Sequence, residues 1–260
     1  MSNHYTFGDN DRACERLCKL ALLYESETRE LIERRKVASP KLAVDLGCGP
    51  GWSTRLLAET SGASRTVGLD ASASYIATAR RIQGPGLEFI RHDVTRIPFP
   101  VPEPDLLLCR FLLTHLRRPE RALTAWARAV APSACLLIHE TERLEAGHPA
   151  LREYYELLGR MQAHYGQLLY IGAALDGLLA RTTWTIKESK ARILEKPVPA
   201  MAELHVANLR TWREDPYARR AFDAVTLDRI EASLTRIAGG DEDGGIVYNT
   251  ARQIIAVQQS

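Results

Sequence analysis

The sequence predicts an α/β protein with a doubly wound, mostly parallel sheet of seven strands and an α-helical cap insertion. Between residues 41 and 139, short apolar runs alternate with patterns of helical spacing. Such alternation is typical of parallel sheets with helices on both faces. One run, Asp105–Cys109, is apolar throughout its last four residues, as expected of a strand buried on both faces. The length of 260 residues suits one such domain with an insertion.

The predicted elements follow one another along the chain. The predicted strands are Lys41–Leu46, Arg65–Leu69, Leu87–Arg91, Asp105–Cys109, Ala134–His139, Trp184–Arg192 and a seventh within Gly244–Val257. The predicted helices are two between Asn10 and Lys36 that break near Glu25–Ser26, then Trp52–Thr60, Ser72–Gln83, Pro119–Ala131, Pro149–His164, Ile171–Arg181, Pro199–Arg213 and Tyr217–Ile237.

The strand–helix rhythm changes after residue 140, and this change suggests how the chain is organised. We expect residues 1–38 to form a helical cover and residues 39–147 the α/β core. Residues 148–213 would supply cap helices around the sixth strand, and residues 214–260 the last helix and last strand of the core.

The amino-acid composition restricts the partners and the location that we expect for the protein. The chain has 45% hydrophobic and 25% charged residues, as ordinary soluble proteins do. Its 34 basic and 32 acidic residues give a net charge of +2, so nucleic acid and membrane surfaces are not predicted partners. The five cysteines lack metal-ligand spacing, and no apolar run approaches the roughly 18 residues of a membrane span. We expect a cytoplasmic protein with reduced thiols and no metal; the oligomeric state stays open, a homodimer included.

The strongest functional signal is the run Val-Asp-Leu-Gly-Cys-Gly-Pro-Gly at residues 44–51, between the first strand and the first core helix. Glycines there permit a tight turn and let backbone N–H groups approach a ligand. Asp70 ends the second strand, about 20 residues further on, where a carboxylate can accept both ribose hydroxyls of an adenosyl group. The pattern therefore predicts a nucleoside-containing cofactor.

Two other nucleotide classes fit the pattern less well. A nicotinamide enzyme would prefer a third glycine in the spacing GxGxxG, which is absent because Trp52 follows Gly51. The lysine and hydroxyl residue of a nucleoside triphosphate loop are also absent.

With its VDLGCGPG and VGLD motifs, the chain resembles the class I S-adenosylmethionine-dependent methyltransferases, specifically their small-molecule, natural-product members. The resemblance covers about residues 40–140 and implies a Rossmann-like fold, S-adenosylmethionine as cofactor and S-adenosylhomocysteine as product. It places the following residues at the cofactor: Asp45, Gly47, Gly49 and Gly51 at the methionine end, Asp70, Ala71 and Ser72 at the ribose, Asp93 and Val94 at the adenine, and Arg110 beside the pocket. Tyr5 as a cover and Arg29 as a partner of the methionine carboxylate are further candidates.

The expected reaction is methyl transfer to a small acceptor. Cys109-Arg110-Phe111-Leu112 replaces the Asn/Asp-Pro-Pro-Tyr tetrad of amino-methylating DNA and protein-glutamine enzymes, which argues against those substrates. The tyrosine and tryptophan content of residues 148–213 favours a planar or aromatic acceptor, and the resemblance suggests an indole-bearing natural product, methylated on carbon, nitrogen or oxygen in secondary metabolism. A non-catalytic cofactor-binding module and an RNA methyltransferase are the alternatives; the latter would usually carry a basic RNA-binding module.

Two residues are candidate general bases. His115 follows the fourth strand and Glu140 ends the fifth, at the sheet edge where ligands bind in open α/β proteins. The aromatic content of the cap suggests a cover over an apolar pocket. The candidate substrate-binding residues are Tyr154, His164, Tyr165, Asn208 and Trp212.

Overall fold

The computed structural model describes residues 11–35 and 39–259. Its strands are β1 (Leu42–Leu46), β2 (Arg65–Asp70), β3 (Leu87–Arg91), β4 (Leu106–Arg110), β5 (Cys135–Ala146), β6 (Trp184–Lys196) and β7 (Val247–Gln258). They form one sheet in the order β3-β2-β1-β4-β5-β7-β6. The first five strands are parallel, and β7 runs antiparallel between β5 and β6. The strand order reverses between β1 and β4, the position at which open sheets of this kind bind ligands.

Helices cover both faces of this sheet and extend beyond it. They are α1 (Asp11–Leu23), α2 (Glu25–Arg34), α3 (Trp52–Ser61), α4 (Ala73–Ala79), α5 (Pro119–Ala127), α6 (Pro149–His164), α7 (Leu175–Leu179), α8 (Val198–Trp212), α9 (Pro216–Ala221) and α10 (Ala224–Gly239). Short 3₁₀ turns occur at Arg80–Ile82, Leu113–His115 and Ile171–Ala174. Among the described residues, no helix has both the length and the apolar character required to cross a bilayer.

The core has three large parts. On one face of the sheet, side chains of β1 and β4 pack with Trp126 of α5, whose indole N–H donates to the Val94 carbonyl at 2.8 Å. The opposite face packs against Leu31 and Leu57 from α2 and α3. A third cluster joins α6, α8 and α10 beside the sheet. This third cluster holds the helices of residues 148–213 in place over the carboxyl ends of the strands.

The predicted α/β fold with a seven-stranded, mostly parallel sheet is confirmed, but several segments differ from the sequence prediction, and four of them have a clear structural basis or position. Strand β5 runs on to Ala146 because its second half pairs with β7 beyond a bulge at 141–143. The helix predicted over 217–237 is two helices, because Asp223 is extended and its carboxylate accepts from the Thr226 N–H at 2.8 Å. The first two helices meet at Tyr24 rather than at Glu25–Ser26. The predicted helix 171–181 is a 3₁₀ turn followed by the short α7.

Candidate cofactor and acceptor site

A cavity of about 710 Å³ lies at the carboxyl ends of β1, β2 and β4. One half is lined by residues from the segments 47–53, 70–75 and 93–96, which we call the cofactor half. The other is lined by α1, the segment 111–116, α6, α8 and the start of β7, which we call the acceptor half. The cavity therefore joins the predicted cofactor motif to the cap helices.

The glycine loop after β1 is shaped by positive φ angles. Gly47, Gly49 and Gly51 have φ of +68°, +53° and +94°, values that residues with a Cβ rarely adopt. A Cβ on Gly47 would lie 2.7 Å from the Leu112 side chain, and one on Gly51 would lie 2.7 Å from the Phe89 ring. Gly47 and Gly49 line the cavity, whereas Gly51 packs against Phe89 beneath the loop.

Asp70 connects this loop to the next strand. Its Oδ2 accepts a hydrogen bond from the Gly49 N–H at 2.9 Å, and its Oδ1 accepts one from the Ser72 N–H at 2.8 Å. Ser72 in turn caps α4 by accepting from the Tyr75 N–H at 3.1 Å. Asp70, Ala71 and Ser72 all line the cavity. The carboxylate predicted to hold the ribose is thus held by backbone N–H groups at the cavity wall.

Asp45 lies below the cavity surface rather than on it. The residue is 1% exposed, and its Oδ2 accepts hydrogen bonds from Ser53 Oγ at 2.6 Å and Thr54 Oγ1 at 2.8 Å. Burial raises the pKa of this carboxyl to about 6, against the effect of those hydroxyls. Asp45 therefore fixes the start of α3 relative to β1. Arg110 lines the cavity, and desolvation lowers the pKa of its guanidinium.

The remaining cofactor candidates divide into two groups. Asp93 and Val94 line the cavity, and Asp93 Oδ1 accepts from both the backbone N–H and the hydroxyl of Thr95. Contrary to the prediction, Arg29 does not line the cavity: it donates to Glu25 Oε1 at 2.9 Å and to Thr60 Oγ1 at 3.1 Å. These partners hold its side chain between α2 and α3. Tyr5 lies outside the described residues.

His115 lies in the acceptor half but is poorly suited to act as a base. Desolvation lowers the pKa of its imidazole from 6.5 to about 3, and the nearby positive charge of Arg16 adds to this effect. A group with so low a pKa removes protons weakly at neutral pH. The His115 imidazole is therefore neutral, and it forms part of the cavity wall.

Glu140 does not line the cavity, contrary to its predicted contact role. It is fully buried at the centre of β5, and its Oε1 accepts hydrogen bonds from the backbone N–H groups of Leu112 and Leu113, each at 2.7 Å. Burial raises the pKa of this carboxyl from 4.5 to about 8. The carboxyl thus holds the segment 111–116, which begins at Phe111 with a φ of +48°.

Most of the predicted aromatic cap packs within the protein and not against the cavity. Tyr154 is fully buried and stacks on His205 at 4.6 Å between ring centroids, and Trp212 packs edge-on against Phe222. The amphipathic helices α6 and α8 turn these rings toward each other, away from the sheet edge. Tyr154 and Trp212 consequently lie behind the residues that line the cavity.

Of the other three predicted substrate residues, two lie away from the cavity and one lines it. The Tyr165 hydroxyl donates to the Asp215 carboxylate at 2.8–2.9 Å, and the exposed His164 stacks on Tyr217 with centroids 3.8 Å apart. Neither Tyr165 nor His164 lines the cavity, because both are held by α9 and the turn before it. Asn208 does line it.

The lining residues that the sequence prediction missed include several polar ones, among them Arg16, Tyr24, Gln162, His205 and Asn249. A signal for two of them exists in the sequence. Arg16 lies among the apolar positions 13, 17 and 20 of α1, and a charge on an apolar helix face is a mark of function or pairing. His205 and Asn208 share one face of α8 at a spacing of three.

Comparison with known proteins supports the fold and motif. A model of the family described as "Methyltransferase domain" matches residues 43–133. The trans-aconitate 2-methyltransferase of Methylobacterium nodulans is 40% identical over 116 residues, which are 45% of this chain and 44% of that protein. The enzyme of the same name from Escherichia coli is 30% identical over 241 residues, 88% of this chain and 91% of that protein. The chain spans about half the length of several other curated relatives it matches.

Solved structures share the architecture at low sequence identity. Phosphoethanolamine N-methyltransferase 2 of Haemonchus contortus, in complex with S-adenosylmethionine, has a TM-score of 0.58 and 15% identity, over 97% of this chain and 59% of that one. A mycolic acid cyclopropane synthase complexed with S-adenosylhomocysteine also has a TM-score of 0.58, with 13% identity, over 90% of this chain and 83% of that one. At these identities the likeness shows the fold.

The fold and the glycine-loop site define a Rossmann-like nucleoside-binding protein. With a match to a methyltransferase over 88% of its length, the chain belongs to the class I S-adenosylmethionine-dependent methyltransferases. S-adenosylmethionine is the cofactor of this family.

The first prediction concerns Asp70→Asn. This change leaves one acceptor oxygen, in place of two, for the N–H groups of Gly49 and Ser72, and it removes the charge. Hydrogen bonds to a charged group contribute about 1.5–3 kcal/mol. We expect the affinity for S-adenosylhomocysteine in titration calorimetry to fall at least about tenfold. Glu103→Gln, an exposed change away from the cavity, should leave it unchanged. Equal affinities for both variants, or NAD binding as tight as that of S-adenosylhomocysteine, would contradict the assignment.

The second prediction concerns Glu140→Gln. Because the folded protein holds a proton on Glu140 up to a pH of about 8, while the unfolded chain releases it near 4.5, the parent loses stability as pH rises between those values. The variant lacks this titration. Its free energy of unfolding relative to the parent should therefore rise by up to about 1.4 kcal/mol per pH unit across that window. Urea unfolding at several pH values measures this, and a constant difference would show that Glu140 is ionised in the folded state.

Proposed function

We propose that this protein transfers the methyl group of S-adenosylmethionine to a carboxylate oxygen of a small organic acid. The observation that carries the proposal is the composition of the acceptor half. It contains the buried cation of Arg16, while His115 is too weak a base and Glu140 is engaged by backbone N–H groups outside the cavity. An acceptor that is already deprotonated suits such a site.

The cofactor half fits the adenosyl group and the methionine portion. The glycine loop leaves space that a Cβ would fill, since a Cβ on Gly49 would approach Leu17 to 3.3 Å. Asp70 would bind the ribose hydroxyls, Asp93 the adenine amino group, and Gly47 and Gly49 would adjoin the methionine portion. When bound, S-adenosylmethionine supplies an electrophilic methyl group on a sulfonium sulfur.

A carboxylate acceptor needs no general base. Carboxylic acids with a pKa near 4 are ionised at neutral pH, so the oxygen that attacks carries no proton. One carboxylate oxygen forms a bond to the methyl carbon as the carbon–sulfur bond breaks, and the sulfur keeps the electron pair. The protein's task is then to align oxygen, carbon and sulfur and to exclude water.

Arg16 supports an anionic acceptor. Its side chain lines the cavity and is 4% exposed. Its positive charge contributes to the lowered pKa of His115. In such a poorly solvated position a positive charge favours binding of an anion more than it would in water. The names of the relatives, trans-aconitate 2-methyltransferases, agree with a carboxylic acid acceptor.

An aromatic or indole-bearing acceptor has less support. That prediction came from the tyrosine and tryptophan content of residues 148–213, whose rings largely pack on one another. Outside the cofactor half, the Phe and Tyr side chains that line the described cavity are Tyr24 and Phe111, which contact each other edge-to-face at 5.0 Å. A cytoplasmic location and a role in secondary metabolism remain predictions from the sequence.

The third prediction distinguishes these acceptors chemically. Purified protein is incubated with methyl-labelled S-adenosylmethionine and either trans-aconitate or an indole-bearing cyclic dipeptide that lacks a carboxylate. We expect label to enter trans-aconitate as a methyl ester, which mild alkali releases as methanol, and not to enter the dipeptide. Alkali-stable label on the dipeptide would favour the aromatic acceptor. Binding of S-adenosylmethionine without transfer to any carboxylic acid would favour a non-catalytic module, and label in RNA would favour an RNA methyltransferase.

A further inference from the structure

We infer that Gln162, His205 and Asn208 form a subsite that binds a second carboxylate of the acceptor. This inference rests on the proposed function and makes it narrower: the acceptor would be a di- or tricarboxylic acid. One carboxylate receives the methyl group, and another is held on the cavity wall that α6 and α8 form.

The three side chains are buried, polar and incompletely paired. Gln162, His205 and Asn208 are 1%, 4% and 5% exposed, and all three line the cavity. Gln162 Oε1, His205 Nδ1 and Asn208 Oδ1 have no hydrogen-bond partner among the described residues. Buried polar atoms are nearly always paired, so unpaired polar atoms on three residues of one cavity wall indicate a ligand that pairs with them. The oxygen and nitrogen of an amide are assigned from the hydrogen-bond network, so Gln162 and Asn208 can each present N–H groups to that ligand.

The contact of His205 with Tyr155 leaves the imidazole as a hydrogen-bond donor through Nδ1. Its Nε2 lies 3.0 Å from the hydroxyl of Tyr155. Burial raises the pKa of Tyr155 and lowers the pKa of His205 to about 3, so the hydroxyl keeps its proton and the imidazole is neutral. A buried hydroxyl requires an acceptor, and Nε2 is the acceptor within reach among the described residues. The single ring proton therefore resides on Nδ1.

The residues behind Asn208 orient its amide. The Tyr154 hydroxyl lies within hydrogen-bonding reach of Asn208 and of the Trp212 indole N–H, and all three side chains are buried. The hydroxyl and the indole N–H can both donate, and the indole N–H can only donate. The indole N–H is therefore left to donate to the Tyr154 oxygen, and the Tyr154 hydroxyl proton is left for Asn208. The Asn208 oxygen is best placed toward that hydroxyl, because the assignment of amide oxygen and nitrogen follows the hydrogen-bond network. Its N–H groups are then left for a ligand in the cavity that Asn208 lines.

Charge selects a carboxylate as the ligand. The positive charge of Arg16 interacts electrostatically with Tyr154 as well as with His115. Arg16 therefore lies close to the wall that holds the subsite. The acidic residues that line the described cavity, Asp70 and Asp93, both lie in the cofactor half. A cation with an array of neutral N–H donors is complementary to a group of two negatively charged oxygen atoms. An apolar or cationic group would leave these donors unpaired.

The test measures acceptor binding to protein saturated with S-adenosylhomocysteine, so no methyl transfer takes part. Titration calorimetry compares trans-aconitate with crotonate, a monocarboxylic acid of similar unsaturation. In Asn208→Asp and His205→Phe, we expect the affinity for trans-aconitate to fall at least about tenfold, because a donor is lost or a like charge is added. The affinity for crotonate should change less than about twofold.

Thr211→Val is the matched control. Thr211 is on α8 and its hydroxyl donates to the Ala207 carbonyl at 3.0 Å, away from the cavity. This variant should bind trans-aconitate as the parent does, and S-adenosylhomocysteine affinity should be unchanged in all three variants. That second readout shows that each variant is folded.

The outcomes separate the subsite from the proposed function. The inference is overturned if the parent binds trans-aconitate no better than crotonate, or if Asn208→Asp and His205→Phe bind trans-aconitate as the parent does. Formation of methyl esters from monocarboxylic acids would leave the proposed function intact in that case. Conversely, selective loss of trans-aconitate binding in the two variants supports the subsite even if the parent forms no methyl ester, the result that refutes the proposed function.

Discussion

The site depends on the hydrogen bonds that hold the glycine loop against the end of β2. The N–H groups of Gly47 and Cys48 both donate to the Leu69 carbonyl, at 2.8 and 3.0 Å, and that of Gly49 donates to Asp70. These bonds turn the chain sharply after β1 and bring two strand ends and the start of α3 to one point. The loop conformation and the orientation of the Asp70 carboxylate are therefore set together, before any ligand binds.

The second half of the site depends on a different buried group. Glu140 joins the centre of β5 to the segment after β4 through two short hydrogen bonds to backbone N–H groups. The carboxyl therefore holds the segment 111–116, which lines the cavity, while Glu140 itself does not line it. With His115 neutral, the described part of the acceptor half provides the cation of Arg16 and several neutral hydrogen-bonding groups. These groups suit an anion, which agrees with the proposal that the nucleophile is already deprotonated.

The sequence predicted the α/β core, and most of the residues that it assigned to the cofactor line one cavity, because both depend on local signals. Apolar runs of strand length, glycines at a turn and an acid at the end of the second strand are read directly from neighbouring residues. The acceptor half depends on how distant helices pack. Tyr154 and Trp212 carry the same signal as ligand-contacting rings, and only the packing of α6 against α8 and α10 shows that they point inward. Arg16 and His205, which the sequence prediction missed, meet at the cavity although they are far apart in the chain.

The central claim is that the acceptor enters as an anion and that the protein supplies a cation but no base. Steady-state kinetics of Arg16→Gln and His115→Gln with trans-aconitate test it most directly. We expect Arg16→Gln to lower kcat/KM at least about tenfold, since a charge-assisted contact is lost. His115→Gln should leave kcat within about threefold of the parent, because a general base contributes roughly 10²–10⁴-fold and none is used. A loss of kcat of that larger size in His115→Gln, with Arg16→Gln unaffected, would contradict the account.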